Sequence, residues 1–167
     1  KEVVICECGT AYRVMKHMSG EKPFKVITFA ELIARYIKEG RIKLDKSKLP
    51  GKVTYHDPCQ IARQGGIYEQ PRYVLNHLTD SFVEMTPNRQ ANWCCGGGGG
   101  LVAMGEKDFR MKSAKVKAEQ VKATEAEVLC TACENCHTQL SDLNEHYGLG
   151  VKVEYLSDLT AKALVQD

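Results

Sequence analysis

A chain of 167 residues, 43% hydrophobic and 26% charged, is long enough for one domain with its own core and has the composition of an ordinary globular protein. Its 23 basic and 21 acidic residues are spread along the chain and leave a net charge of +2, so no basic stripe speaks for nucleic acid as a partner. No apolar run is long enough to cross a bilayer and no signal-peptide pattern is present, so a cytoplasmic location is expected, free or attached to the inner membrane face through partner subunits.

Val3 to Cys6 reads as a short buried strand, followed by a turn at Gly9 and a helical stretch from about Ala11 to Met18. Position 1 is Lys and the chain enters that strand at once, as expected for the C-terminal part of a longer protein. Val26-Ile27 is strand-like. Thr28 and Glu31 then form a capping-box pattern for a helix with the apolar stripe Phe29, Leu32, Ile33, Tyr36 and Ile37, closed by Gly40. Lys43 to Gly51, with Pro50, reads as a loop. Val53-Thr54-Tyr55 is a third strand running into His56-Asp57-Pro58-Cys59. Asp57 as N-cap and Pro58 in the first turn would place Cys59 at a helix N-terminus, where the dipole favours a thiolate.

Pro71 opens a helix to about Leu78, and Val83 to Met85 is strand-like. Met104 to Thr124 reads as one long helix with Ala114, Ala118 and Val121 facing inward. Its Lys107, Lys112, Lys115, Lys117 and Lys122 read as a solvated face, with docking of an acidic carrier as the other reading. Val128-Leu129 is a strand that delivers Cys130, Cys133 and Cys136 to its C-terminal end. A helix from about His137 to His146, a strand Val151 to Val153 and a final helix capped by Ser157 or Asp158 complete the pattern. This alternation predicts an α/β fold: a largely parallel sheet flanked by helices, in Rossmann-like βα units. Ligands of such sheets lie beyond the carboxyl ends of the strands.

The stretch Val3 to Tyr12 can be laid on Val128 to His137, which places Cys8 on Cys133 and Ala11 on Cys136. This internal pseudo-repeat makes residues 1–50 the remnant of a degenerate first repeat and residues 51–167 an intact one. Chance similarity between two βα units is the other reading.

The eight cysteines are better suited to metal or redox use than to a disulfide scaffold, because such scaffolds are short and poor in long helices. Asn92-Trp93-Cys94-Cys95 runs into five consecutive glycines. Adjacent sulfurs can reach different atoms of one cluster, and Gly96, Gly97 and Gly98 let the backbone approach it with N–H groups aimed at sulfides. With Cys59 and the pair Cys133 and Cys136, five thiols come from three strand-to-helix loops, more than the four a structural zinc site takes. Cys130-Thr131-Ala132-Cys133 is a competing Cys-x-x-Cys. Cys6 and Cys130 read as buried small hydrophobes, and Cys8 as a structural cysteine or one facing the substrate path. His56 and His137 flank thiols and suit donation to a cluster or a proton relay, with capping as the alternative. Trp93 suits a wall that shields the cluster.

The order Cys, Cys-Cys-Gly, Cys-x-x-Cys, framed by Tyr55-His56-Asp57-Pro58-Cys59 and Ala132-Cys133-Glu134-Asn135-Cys136-His137, resembles the CCG cysteine-rich domain of heterodisulfide reductases. Ile67-Tyr68-Glu69 and Pro71-Arg72 also fall in that frame, and Glu7-Cys8-Gly9-Thr10-Ala11-Tyr12-Arg13 is most similar to the DsrK (HmeD) branch. The resemblance implies a noncubane [4Fe-4S] cluster with Cys59, Cys94, Cys95, Cys133 and Cys136 as ligands. Cys94, Cys95 and His56 are the candidate catalytic residues. It further implies reduction of a disulfide or trisulfide, on a DsrC-like sulfur carrier or a small heterodisulfide. Electrons would come through a ferredoxin-type domain and a membrane quinone or cytochrome b-type subunit. The alternative is a non-catalytic module of a glycolate, lactate or glycerol-3-phosphate dehydrogenase, serving as electron relay or holding zinc.

Overall fold

The computed structural model describes residues 1–49 and 51–165; the expected loop position Pro50 lies outside them. Strand β1 (Glu2–Ile5) leads into helix α1 (Gly9–Arg13), which continues as a π-helical turn over Val14–Met18. Strand β2 (Lys25–Thr28) pairs with β1 in parallel and runs straight into α2 (Phe29–Lys38). Both halves of the expected capping box are present, Thr28 Oγ1 accepting from the Glu31 N–H at 3.2 Å and Glu31 Oε2 from the Thr28 N–H at 2.7 Å.

The larger sheet contains β3 (Val53–Tyr55), β4 (Phe82–Val83), β5 (Val128–Thr131) and β6 (Lys152–Tyr155) in the order β4-β3-β5-β6, all parallel. Parallel strands need crossovers, supplied by α3 (Glu69–Leu78), α4 (Lys107–Ser113), α5 (Lys115–Thr124) and α6 (Glu134–Tyr147); α7 (Leu156–Ala163) follows β6. All three residues of β3 are buried, as expected where helices cover both faces. Along β5 the pleat sends Val128 and Cys130 to one core, with Ile33, Val74, Leu75 and Leu159 of α2, α3 and α7. Leu129 goes to the other, with Met111, Val121, Leu140 and Leu143 of α4, α5 and α6. The α/β fold with parallel strands is therefore the one the periodicity predicts.

The two βαβα units also place Cys8 and Cys133 alike: each is the extended residue immediately before a helix that follows a parallel strand.

Several expectations are corrected. No helix starts at Asp57, because its carboxylate is taken by Arg72 at 2.7 and 2.8 Å and by the Arg89 N–H at 2.7 Å; Cys59 instead opens a run of turns to residue 65. The long helix breaks at Ala114 (φ −99°, ψ 7°) into α4 and α5, which lets both pack on α6. In α2 the most buried positions are Ala30, Ile33 and Ala34, so the inward stripe is rotated from the expected one. Helix α6 begins at Glu134 rather than His137. Tyr155, not Ser157 or Asp158, precedes α7, since β6 runs directly into that helix. Cys6 is exposed, not a core residue, because β1 forms only a two-stranded sheet and Cys6 lies past its end.

Candidate metal centre

The loops leaving β3 and β5 and the Cys94-Cys95 loop meet at one cavity of about 260 Å³, lined by Cys59, Cys94, Cys95, Cys133 and Cys136. Adjacent parallel strands deliver Cys59 and Cys133: Tyr55 pairs with Cys130, and the His56 N–H donates to the Cys130 carbonyl at 2.9 Å. Both thiols then fall beyond the carboxyl ends of their strands, the usual ligand position on such a sheet. Helix α6 sets the rest of its pair. Cys133 is the residue before the helix and Cys136 lies in its first turn, and both are buried.

Cys95 Sγ lies 3.3 Å from Cys136 Sγ, and both sulfurs lie within 4.8 Å of a ring nitrogen of His56. The competing pair is not formed around the cavity: Cys130 faces the opposite core, because neighbours along a strand alternate faces.

Thiols this close cannot all ionise together. Cys94 accepts hydrogen bonds from Cys59 and Cys95 and is held far below the usual thiol range, the Gly96 N–H at 3.4 Å adding to the effect. Cys133 accepts from Cys136 and from backbone N–H groups at the start of α6, which bring it down to about 6 against burial. Donation to Cys94, and burial, push Cys59 up; the pull of Cys136 on Cys95 is outweighed by Cys94 and burial, leaving Cys95 at about 12. Cys136, in contact with Cys133 and Cys95 and buried, is raised well above the ordinary value.

The glycines divide their work. Gly98, Gly99 and Gly100 line the cavity, whereas Gly96 and Gly97 do not. Gly96 has φ +89°, and a Cβ there would fall 2.8 Å from Ala114 Cβ; a Cβ at Gly97 would fall 2.8 Å from Gln139 Cβ and 2.9 Å from Val102 Cγ2. These two glycines let the Cys94-Cys95 loop press onto α6, and their N–H groups act on the cavity through the thiols.

Two other sequence-predicted residues are placed elsewhere. Trp93 is 54% exposed and does not line the cavity, since the buried neighbour in this turn is Asn92. His137 stacks on Tyr155 with ring centroids 4.1 Å apart, and its Nε2 lies 3.3 Å from the Val153 carbonyl, so the ring is held by β6 rather than turned to the thiols. Sequence reasoning missed Thr10, Gln60 and Asn135, which line the mouth, and Gly9, whose Cβ position is 3.7 Å from Cys133 Sγ. Asn135 lies inside the Cys-x-x-Cys and was within reach of the motif. Gly9 and Thr10 lie in the Glu7 to Arg13 stretch that carries the family resemblance, so that stretch was the available signal for them.

The loop carrying Cys59 is anchored from behind. Arg72 binds Asp57 bidentately and Glu84 at 2.6 and 3.0 Å, while Asn92 Nδ2 donates to the Asp57 carbonyl at 2.7 Å. The strand-3 loop and the Cys94-Cys95 loop are thereby fixed relative to one another.

The donor set fits a multi-iron cluster. Five thiols surround a cavity several times the ~30 Å³ that one water occupies. His56 is fully buried, neither ring nitrogen finds a hydrogen-bond partner among the described residues, and burial together with the Lys117 charge pushes it down to about 3, so it is neutral, with a ring nitrogen within 4.8 Å of the Cys95 and Cys136 sulfurs. A buried group with no partner in the protein is what a site completed by a bound sulfide-bearing group leaves behind.

Comparison with known proteins agrees with this geometry. A profile of the family described as Cysteine-rich domain (CCG) matches residues 53–141. The chain is 36% identical to a dihydromethanophenazine:CoB–CoM heterodisulfide reductase subunit from Methanosarcina mazei, over 96% of this chain and 40% of that protein. It is 31% identical to the Hdr-like menaquinol oxidoreductase iron-sulfur subunit 2 of Archaeoglobus fulgidus, over 92% of this chain and 28% of that protein. With the EtfAB:quinone oxidoreductase of Syntrophomonas wolfei it shares 30% identity over 85% of this chain and 21% of that protein. The chain thus spans well under half the length of these relatives. A motif-bearing match over half of its residues, with all the motif cysteines gathered at one cavity, makes this chain a member of the CCG family of cysteine-rich domains.

Proposed function

We propose that this domain is the cluster-holding part of an iron-sulfur oxidoreductase subunit of heterodisulfide reductase type. In this reading Cys59, Cys94, Cys95, Cys133 and Cys136 hold a noncubane [4Fe-4S] cluster. The single observation that supports it is the convergence of five thiols from three loops on one cavity, in a chain whose relatives carry heterodisulfide reductase and iron-sulfur subunit names.

The net reaction adds two electrons and two protons to a sulfur-sulfur bond, releasing two thiols from a disulfide or a thiol and a persulfide from a trisulfide. When bound, the cluster supplies electrons one at a time and an iron site for a substrate sulfur. The protein residues do the remainder. Cys94 and Cys133, the cavity thiols held lowest, give up their protons to a metal at the least cost. Helix α6 presents its N-terminal dipole to the cavity and offsets part of the negative charge. Neutral His56 holds a proton at the back of the thiols, and Thr10, Gln60 and Asn135 offer neutral hydrogen-bonding groups where a disulfide enters. Residues 1–50, read as the remnant of a first repeat, contribute Thr10 to the lining.

The proposed substrates are a small heterodisulfide, as in the name of the Methanosarcina relatives, or a disulfide or trisulfide on a DsrC-like carrier. A ferredoxin-type domain and a quinone- or cytochrome b-linked subunit are the proposed electron partners, in line with the quinone-linked names of other relatives. No described helix is long and apolar enough to cross a membrane, so membrane attachment in this proposal runs through those partners.

Anaerobic purification with iron and acid-labile sulfide counts, followed by electron paramagnetic resonance of the oxidised protein with substrate thiol added, tests the reading. Four irons and four sulfides at this site, with a signal that changes on adding thiol, are expected. Zinc without sulfide would overturn it.

A further inference from the structure

Lys117 is a buried cation that the fold does not balance. It lies on the inner face of α5 with Ala114, Ala118 and Val121, is 1% exposed, and faces the core that contains Cys95, Cys133 and Cys136. Its Nζ donates to Asn92 Oδ1 at 2.8 Å and touches Met85 Sδ at 3.2 Å, both neutral. Among the described residues no carboxylate lies within ion-pair distance of it. Asp57, the buried carboxylate whose charge acts on it, is already engaged by Arg72 and the Arg89 N–H.

An ammonium taken out of water without an anion costs several kcal/mol, and a chain that only needed to fill this core would carry Met or Leu here. Burial accordingly pulls Lys117 down to about 8; the charges that act in the opposite direction are Cys95, Asp57, Cys94 and Cys136. Three of these four are thiols of the cavity, and they become anionic together only when they hold metal. Asn92 fixes the alignment, since its amide spans Lys117 Nζ and the Asp57 carbonyl two residues before Cys59.

The geometry points to Lys117 as the built-in counter-charge of the thiolate set, a positioning residue that stabilises the metal-loaded site and eases its reduction. Reduction adds negative charge in a water-poor site, and a fixed positive charge behind the sulfurs offsets it. The inference rests on the proposed iron-sulfur reading. It assigns the back of the cavity an electrostatic task that the five ligands do not perform.

The test uses the full-length protein carrying this domain, in three forms: wild type, Lys117→Gln and Lys117→Arg. Gln retains a donor for Asn92 and removes the charge; Arg retains the charge. The signal of this cluster is identified as the one lost in Cys94→Ser. In Lys117→Gln the reduced-to-oxidised ratio at a fixed potential is expected to fall at least ~10-fold, a shift of ~59 mV to more negative potential for one electron. Loss of iron to a chelator should speed up by a similar factor, and Lys117→Arg should restore both. Should Lys117→Gln take up no metal, thermal unfolding of the metal-free proteins decides. A variant as stable as wild type or more so supports the counter-charge, because the unbalanced cation has gone; a less stable one means that packing was the role and overturns it. An unchanged potential and chelator resistance in a loaded Lys117→Gln protein, or an Arg variant that behaves like Gln, also overturns it. Wild-type protein without iron and sulfide overturns the underlying reading, and the inference falls with it.

Discussion

Cys95 and Cys136 bring their sulfurs to 3.3 Å although they come from different loops, and both are buried. Cys95 stands at the head of the glycine run and Cys136 in the first turn of α6, so the contact exists only because Gly96 and Gly97 let that run lie against the helix.

The pair that lines the cavity is Cys133 and Cys136, while Cys130 faces the opposite core, and the proposed ligand set follows from that. Cys136→Ala is expected to lose the iron and sulfide of this site. Cys130→Ala, in the opposite core, should keep both counts and cost about 1 kcal/mol in stability. Metal analysis of the two variants beside chemical denaturation checks this. Iron lost from Cys130→Ala and kept in Cys136→Ala would reverse the assignment.

Substitution in the glycine run should separate packing from the cavity. Gly97→Ala places a methyl 2.8 Å from Gln139 Cβ and should destabilise the fold by about 1–3 kcal/mol, with poorer metal retention. At Gly98 an added Cβ meets nothing within 4 Å, so Gly98→Ala should melt with wild type, and any loss should appear only in turnover. Calorimetry and a disulfide-reduction assay report the two quantities.

Arg72 holds the loop before Cys59 through a carboxylate that is 1% exposed. Arg72→Met leaves Asp57 buried and unpaired and should cost about 3–5 kcal/mol in urea unfolding. Asp57→Asn combined with Arg72→Met should recover a large part of that loss, because no buried charge remains alone. A double variant no better than Arg72→Met would show that the loop depends on shape rather than charge.

Glu7 gives a pH dependence of stability. Burial raises its folded pKa above the ordinary 4.5, opposed by hydrogen bonding with Ser157, whose N–H donates to Oε1 at 3.3 Å. Oε2 has no partner among the described residues. With the folded value above the unfolded one, the stability gained from the protonated form is complete below about pH 4.5 and is lost as the pH rises through the folded value. Glu7→Gln should therefore be more stable than wild type at pH 7, with the difference shrinking as the pH falls toward 4.5. Thermal unfolding across that range tests the sign, and a gap that widened at low pH would contradict it.

The α/β class, the parallel strands and the five thiols were legible in the sequence because each has a local signature: apolar runs bounded by turns, a capping box at Thr28, and cysteines at family spacing. The competition for Asp57 was not legible. A helix cap and a buried ion pair draw on the same carboxylate, and Arg72, fifteen positions away, wins it only once α3 packs beneath β3. Lys117 looked like one more solvated lysine because of its charge, although it stands three residues after Ala114 and four before Val121 and so shares their inward face. Thr10 reaches the cavity, and Gly9 comes close to the Cys133 sulfur, only because the first βα unit packs against the start of α6. The sequence by itself thus determined which thiols are carried to the cavity, because thiol identity and order along the strands are local properties. Which charges and polar groups surround those atoms was decided by the tertiary structure, because burial and electrostatics depend on distances between segments that the chain order does not encode.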